Sequence, residues 1–152
     1  MPKALFLLFL VLAQSITLAS DKPPALATDS AALQPCAAAK TPGAANECFS
    51  ALYVSTDAHL NATYNHVVAA MKFLLMEAQR HNDAAQIAHH QAALDRLLAA
   101  QRAWLNYRDL HCDSVKFQYE GGTISPTVWS QCMMETSQQR IAALSTSYDL
   151  GS

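Results

Sequence analysis

Cysteines, histidines and carboxylates are the side chains in this sequence that could support catalysis or metal binding. There are four cysteines and six histidines among 152 residues. A zinc site needs three or four converging ligands, usually in close Cys/His pairs, and the sequence contains no Cys-x-x-Cys. His59 and His66 would share one helix face, but about 10 Å apart along its axis, so they cannot hold one ion alone. We therefore expect no metal site and no cofactor.

Catalytic motifs are also missing from the sequence. It has no Gly-x-Ser-x-Gly, no phosphate-binding Gly-rich loop and no His-Glu-x-x-His. The carboxylates are scattered along the chain, whereas a glycoside hydrolase needs two that face each other across a cleft. These observations predict a protein that is not an enzyme.

The N-terminal segment has the organisation of a cleaved signal peptide. Lys3 precedes an apolar run over residues 4–13, and Thr17 and Ala19 have the small side chains expected at a cleavage site. The apolar run is too short to span a bilayer core of about 30 Å comfortably. We expect residues 1–19 to be removed, which leaves a periplasmic or secreted chain with no stable membrane insertion.

Export decides how the cysteines are interpreted. An even number of cysteines in an exported chain indicates disulfides rather than free thiols. Four cysteines allow three pairings, and the spacing favours Cys36–Cys48 together with Cys112–Cys132. In the chain-entropy model, loops of these sizes each contribute about 3 kcal/mol to stability.

The charge balance does not indicate a polyionic partner. The formal net charge is −2, and no basic patch predicts nucleic-acid binding.

Residues 20–35 are rich in Ala, Pro, Ser and Asp, which is typical of a flexible leader. A single domain is therefore expected over residues 36–150.

Helices must position the candidate residues, because residues 44–120 contain neither Gly nor Pro and are rich in good helix formers. This stretch is too long for one helix in so small a domain. Asn82 or Asp83 could cap a second helix, so we predict helices over residues 46–80 and 83–119. The first of these carries an apolar stripe of helical period, formed by Phe49, Tyr53, Leu60, Tyr64, Val67, Met71 and Leu74.

A third helix is expected after a glycine-containing loop. Gly121 is placed at the C′ position that ends the second helix, and Ser125 and Pro126 serve as N-cap and N1 of the third. The predicted fold class is all-α: a small antiparallel bundle of two long helices and a shorter third, stapled by two disulfides.

The segment of residues 100–112 is the most informative part of the sequence. Trp104, Tyr107, Arg108 and Cys112 follow one another at helical spacing, so we expect one continuous face. Such a face fits a core seam, in which the arginine stem packs and its head bonds a carbonyl or an acid. It also fits a binding surface, since Trp, Tyr and Arg are frequent interface anchors. The core interpretation is favoured.

The same segment, Ala-Gln-Arg-Ala-Trp-Leu-Asn-Tyr-Arg-Asp-Leu-His-Cys, resembles the signature of the lysozyme inhibitor LprI-like domain family. Residues 57–64 resemble a second family motif, Asp-x-x-Leu-Asn-x-x-Tyr. The resemblance covers about residues 36–148 and continues through Gly121, Gly122, Cys132, Arg140 and Leu144. It departs from the family at the front, where residues 41–48 replace a frequent Thr-Gln-x-Glu-Met-Asn-x-Cys.

The resemblance implies a secreted or periplasmic helical domain that inhibits lysozyme. We therefore expect a protein partner, either lysozyme or a related muramidase, whose cleft is blocked sterically. A host lysozyme is strongly basic and this chain only mildly acidic, so electrostatic steering would be modest. The alternative is an interaction or structural module of the bacterial envelope with a non-hydrolase partner. The candidate partner surface comprises Trp104, Tyr107, Arg108, Gly121, Gly122 and Arg140.

Overall fold

A computed structural model describes residues 35–148, and this part of the chain is built from helices alone. The three long helices are α1 (Pro42–Arg80), α2 (Ala84–Phe117) and α3 (Ser125–Ser147), preceded by a short helical turn at residues 35–37. The predicted all-α bundle is confirmed. The expected signal peptide and most of the expected leader lie outside the described residues. Among the helices described, none is long and apolar enough to cross a membrane.

The first helix begins earlier than predicted. The Thr41 side chain accepts a hydrogen bond from the backbone N–H of Ala44 at 3.2 Å, so it caps α1. Pro42 is tolerated in the first turn because its missing N–H has no partner to lose there. The Thr-Pro-Gly sequence at residues 41–43 is therefore the start of α1.

The break between the first two helices lies where it was predicted. Asp83 caps α2 by accepting from the N–H of Gln86 at 3.0 Å. Asn82 adopts the left-handed conformation, with φ of 51°, which asparagine tolerates better than most residues. Because residues 81–83 form so short a connection, α1 and α2 are antiparallel.

The two predicted caps around the glycine loop are wrong by a few residues. The second helix ends at Phe117, and its C-cap is Gln118, so Gly121 is not at the C′ position. The chain continues through short turns to Gly121, whose φ of 82° suits glycine. Ile124 is the N-cap of α3 and makes no side-chain cap bond, which places Ser125 inside the first turn.

The hydrophobic core lies where all three helices meet. It consists of Leu60, Val67, Leu97, Ile141 and Leu144, with Tyr64, Val68, Met71 and Trp104 packed against it. Helices α1 and α3 run parallel to each other and share the most extensive contact. The predicted stripe on α1 holds for most of its length, but Leu74 is 48 % exposed.

Helix lengths explain why Leu74 is exposed. Residues 39–45 and 124–131 line one groove, so α1 and α3 begin at the same level. From there α1 rises about 58 Å and α3 about 35 Å. The end of α1 and the start of α2 therefore extend beyond α3 as a two-helix hairpin. We call residues 72–96 the hairpin tip, and residues 35–71 with 97–148 the three-helix half.

Candidate functional site

A buried arginine joins the three helices. Arg108 is only 6 % exposed. Its Nη1 donates to Oδ1 of Asp57 on α1 at 2.7 Å and to Oγ of Ser137 on α3 at 3.2 Å. Its Nε donates to Oδ1 of Asp109 at 3.0 Å. One guanidinium thus connects α1, α2 and α3, and we call Asp57, Arg108, Asp109 and Ser137 the arginine cluster.

Arg108 keeps its charge although it is buried. Burial acts to lower the pKa of Arg108, but the hydrogen bonds to Asp57 and Asp109 outweigh it and raise that pKa above its ordinary value. Asn61 donates to the other oxygen of Asp57 at 3.2 Å, which orients the carboxylate. Because Arg108 is buried and Asp57 is partly buried, removal of either partner would leave the other charge uncompensated and destabilise the fold.

An indole lies beside this cluster, between two guanidinium groups. The Cζ atoms of Arg108 and Arg140 are 5.3 Å and 5.7 Å from the ring centroid of Trp104, within the range of cation–π attraction. Arg140 Nε also donates to Oε1 of the buried Gln101 at 3.0 Å. These contacts fix α3 against α2 one turn away from the arginine cluster.

Both predicted disulfides are confirmed. Cys36 and Cys48 are bonded with a Cα–Cα distance of 5.3 Å, which attaches the helical turn at residues 35–37 to α1. Cys112 and Cys132 are bonded with a Cα–Cα distance of 5.6 Å, which links the end of α2 to the start of α3. Both bonds lie in the three-helix half.

Two aromatic residues reinforce the second disulfide. Trp129 Nε1 donates to Oδ1 of Asp113 at 2.9 Å, beside Cys112. Tyr53 packs edge-on against Trp129 with ring centroids 5.4 Å apart. Burial raises the pKa of Tyr53; nearby Arg108 lowers it, and the carboxylates of the arginine cluster raise it. The neutral phenol is therefore part of the packing that holds α1 to α3.

The predicted continuous face is divided between interior and surface. Trp104, Arg108 and Cys112 follow one another at intervals of four residues and face inward, as the core interpretation requires. Tyr107 instead is 57 % exposed and stacks on His111, with ring planes 7° apart. The reason is geometric: a residue three positions after Trp104 lies about 60° around the helix from it.

The glycine loop is exposed at the end of the three-helix half. Gly121 and Gly122 are solvent-exposed, and the Cys112–Cys132 bond holds the helices on both sides of them. A Cβ at Gly122 would lie 3.2 Å from the carbonyl oxygen of Tyr119, so the turn is close-packed there. Of the candidate surface residues, Tyr107, Gly121 and Gly122 are exposed, Trp104 and Arg140 are half-buried, and Arg108 is buried.

Sequence reasoning missed an exposed apolar stripe on α2. Leu110 and Phe117 are 62 % and 70 % exposed, and they share the outward side of the helix with Tyr107. Their spacing of three and seven residues is itself a helical signal. This spacing overlaps in sequence with that of Trp104, Arg108 and Cys112, which defines the inward face of the same helix.

Potential metal ligands do not converge in the described residues. No three of their His, Cys, Asp or Glu side chains lie close enough to hold a metal ion. The pKa of His59 is lowered by burial. A shallow groove of about 350 Å³ separates the starts of α1 and α3, lined by residues 39–42, 45, 124, 127, 128 and 131. Neither an acid nor a histidine lines it.

Comparison with known proteins adds two matches. The family model described as "Lysozyme inhibitor LprI" matches residues 36–144. An uncharacterized protein of Rhizobium meliloti (strain 1021) is 40 % identical over 99 residues, which cover 65 % of this chain and 68 % of that protein. No solved structure matches. The matched region begins at Cys36, ends at Leu144 and contains both disulfides and the whole arginine cluster.

Proposed function

The chain belongs to the lysozyme inhibitor LprI family, and from this membership we propose that it inhibits lysozyme or a lysozyme-like cell-wall hydrolase. The inhibitor acts as a folded protein that occupies or covers the substrate cleft of the enzyme. It has no catalytic part in the reaction, since steric exclusion of the glycan strand is sufficient.

The observation that carries this proposal is the construction of the three-helix half. A covalent bond, the arginine cluster and the Trp104 contacts all fix the helices that present the exposed loop at residues 118–124. A surface that is ordered before binding loses little conformational entropy on association. Rigid presentation of a loop is what an inhibitor that competes with a polymeric substrate requires.

The motif residues have two different roles in this proposal. Arg108, Trp104 and Arg140 act as scaffold, because the two guanidinium groups bond Asp57 and Gln101 and both lie over the Trp104 ring. Tyr107, Gly121 and Gly122 are available to a partner. Substitution of a scaffold residue therefore weakens inhibition through loss of folding, whereas substitution of an exposed residue weakens it directly.

Export to the periplasm or beyond is part of the proposal. Two disulfides support it, because such bonds persist in oxidising compartments and are rare in the cytosol. Cell fractionation with an antibody to the protein tests this. Recovery in the periplasm or medium, with the mass expected after removal of residues 1–19, is the anticipated outcome.

The inhibition assay is the central experiment. Purified oxidised protein is titrated into lysozymes of several types acting on a cell-wall suspension, with turbidity as the readout. We expect inhibition of at least one type that saturates near one inhibitor per enzyme. Unchanged lysis with every type at molar excess overturns the proposal. A stable non-hydrolase partner recovered from periplasm would then indicate an envelope interaction module.

A further inference from the structure

The outward face of α2 carries an apolar stripe that is exposed in the part of the chain that the structure describes. Tyr107, Leu110 and Phe117 are 57 %, 62 % and 70 % exposed, and Phe117 is the most exposed of the large hydrophobic residues described. Ser114 lies between Leu110 and Phe117 on the same side. At helical spacing these four residues form one strip of about 15 Å.

This strip is on the side of α2 that normally carries polar residues. Arg108 and Cys112, which face inward, are buried, and Leu110 lies between them in sequence but on the opposite side of the helix. A surface helix in a folded domain places its apolar residues towards the core and its polar residues outward. A row of exposed apolar side chains on the outward side of a helix is typical of an interaction surface.

Carboxylates line one edge of the strip. Asp109 and Asp113 are four residues apart on α2, which places them along the same edge, and Glu120 follows in the turn just after the helix. The nearby positive charge of Arg108 is buried and shared between Asp57 and Asp109. Lys116 is the exposed cation among them. The face therefore combines an apolar centre with an acidic edge.

We propose that this α2 face, formed by Tyr107, Leu110, Ser114 and Phe117 with its acidic edge, is the surface that docks a basic cell-wall hydrolase. This inference rests on the proposed function and deepens it by naming the surface. The apolar strip packs against the walls of the substrate cleft, and the acidic edge faces the positive surface around it. Such charge complementarity raises the association rate and selects among enzymes.

The position of the face suits this task. It continues from the disulfide-held end of α2 into the loop, where Tyr119 and Ile124 are 44 % and 48 % exposed. The Cys112–Cys132 bond and the hydrogen bond from Trp129 to Asp113 hold the helix behind it. A partner on this face thus meets a rigid backbone on which only exposed side chains need to be ordered.

Serine substitutions on the strip test the apolar contribution. The full mature chain carrying both Leu110→Ser and Phe117→Ser is expected to inhibit at least about tenfold more weakly, because central apolar anchors carry most of the binding energy. Its melting temperature should stay close to that of the wild type, since both side chains are exposed. Phe73→Ser is the matched control: Phe73 is 54 % exposed on the hairpin tip, and inhibition should be unchanged.

A charge reversal tests the acidic edge. Glu120→Lys is chosen because Asp109 and Asp113 have structural hydrogen bonds to Arg108 and Trp129. We expect a several-fold slower association rate and a weaker dependence of that rate on salt. Asp95→Lys, at an exposed position of α2 in the hairpin tip, is the control and should leave both quantities unchanged.

The outcomes separate the two proposals. If the wild-type protein inhibits a lysozyme and the double serine variant inhibits it equally well, the α2 face is not the docking surface, although the proposed function stands. If the wild-type protein inhibits no hydrolase, the proposed function itself fails. If the wild-type protein is a dimer that the double variant converts to a monomer, the strip binds a second copy and the inference is overturned.

Discussion

The three-helix half and the hairpin tip are stabilised by different kinds of interaction. In the three-helix half, two disulfides, the arginine cluster and the Trp104 contacts add to the apolar core. In the hairpin tip, two Ala-rich helices pack against each other, and Leu94 and Ala78 are its buried residues. Its ion pair between Glu77 and Arg80 is exposed and contributes little.

This difference indicates that the three-helix half is the more rigid part of the molecule. The costly and specific interactions lie at the end of the bundle that presents the loop and the α2 face. The tip keeps exposed apolar residues such as Phe73 and Met76 without a third helix to cover them. Regions with few buried contacts open at a lower free energy than the core does. We therefore expect substitutions in the three-helix half to cost more stability than substitutions in the hairpin tip.

Loss of the arginine cluster should have the largest effect. Arg108→Ala leaves Asp57 without its partner and removes the guanidinium that packs on Trp104. We expect the free energy of unfolding to fall by about 3 to 4 kcal/mol, measured by urea denaturation. Arg96→Ala, an exposed position of the same helix in the tip, should change it by less than about 0.5 kcal/mol. Equal effects at the two positions would remove the distinction between the halves.

Removal of the second disulfide should come next. Cys112→Ser with Cys132→Ser opens a loop with a sequence separation of 20 residues. The chain-entropy model predicts a loss of about 3 kcal/mol, visible as a lower melting temperature under oxidising conditions. In the presence of a strong reductant, the wild type and the variant should converge. If they remain different there, the substitutions act through packing rather than through the cross-link.

The cap of the hairpin tip should have a smaller effect. Asp83→Ala removes the side chain that accepts from the N–H of Gln86, at a cost of about 1 kcal/mol. Native-state hydrogen exchange should show faster exchange over residues 72–96 and little change in α3. Asp95→Ala, exposed on the same tip, serves as control. Uniform acceleration throughout the chain would mean that the tip and the three-helix half open together.

The smallest expected effect is a dependence on pH that arises in the three-helix half. Burial lowers the pKa of His59, and its Nδ1 is buried without a hydrogen-bond partner. The unfolded chain therefore binds the proton more readily, so this residue reduces stability as pH falls through about 6.5. Below the lowered folded-state pKa, the reduction is complete. In the His59→Gln variant, the midpoint of urea denaturation should change less between pH 7.5 and pH 5 than in the wild type. An equal change in both proteins would mean that other groups cause the pH dependence.

The sequence was sufficient for the elements of the fold but not for the side-chain partners. The Gly- and Pro-free run and the polar break at residues 81–83 predicted the two long helices, and the cysteine spacing favoured the observed pairing among three possible ones. The pairing of Arg108 with Asp57 and Ser137 was not predictable, because it depends on the axial positions of α1 and α3 relative to α2.

The candidate site shows the same division at the level of single residues. The spacing of Trp104 and Arg108 identified an inward face of α2. Tyr107 lies about 60° around the helix from Trp104, and this rotation places it at the surface. Leu74 was assigned to the core because its period was right. Only the length of α3 reveals that the third helix ends before reaching it.

The two disulfides also determine what would follow a single cut in the backbone. Cys36–Cys48 lies wholly within the segment before the turn at residues 81–83, and Cys112–Cys132 wholly within the segment after it. Cleavage in that exposed turn would produce two fragments, each with its own internal disulfide and with no covalent bond between them. Their reassembly would depend on the shared core and on Asp57 finding Arg108. The turn at residues 81–83 is thus the sole covalent link between the two disulfide-containing segments of the domain.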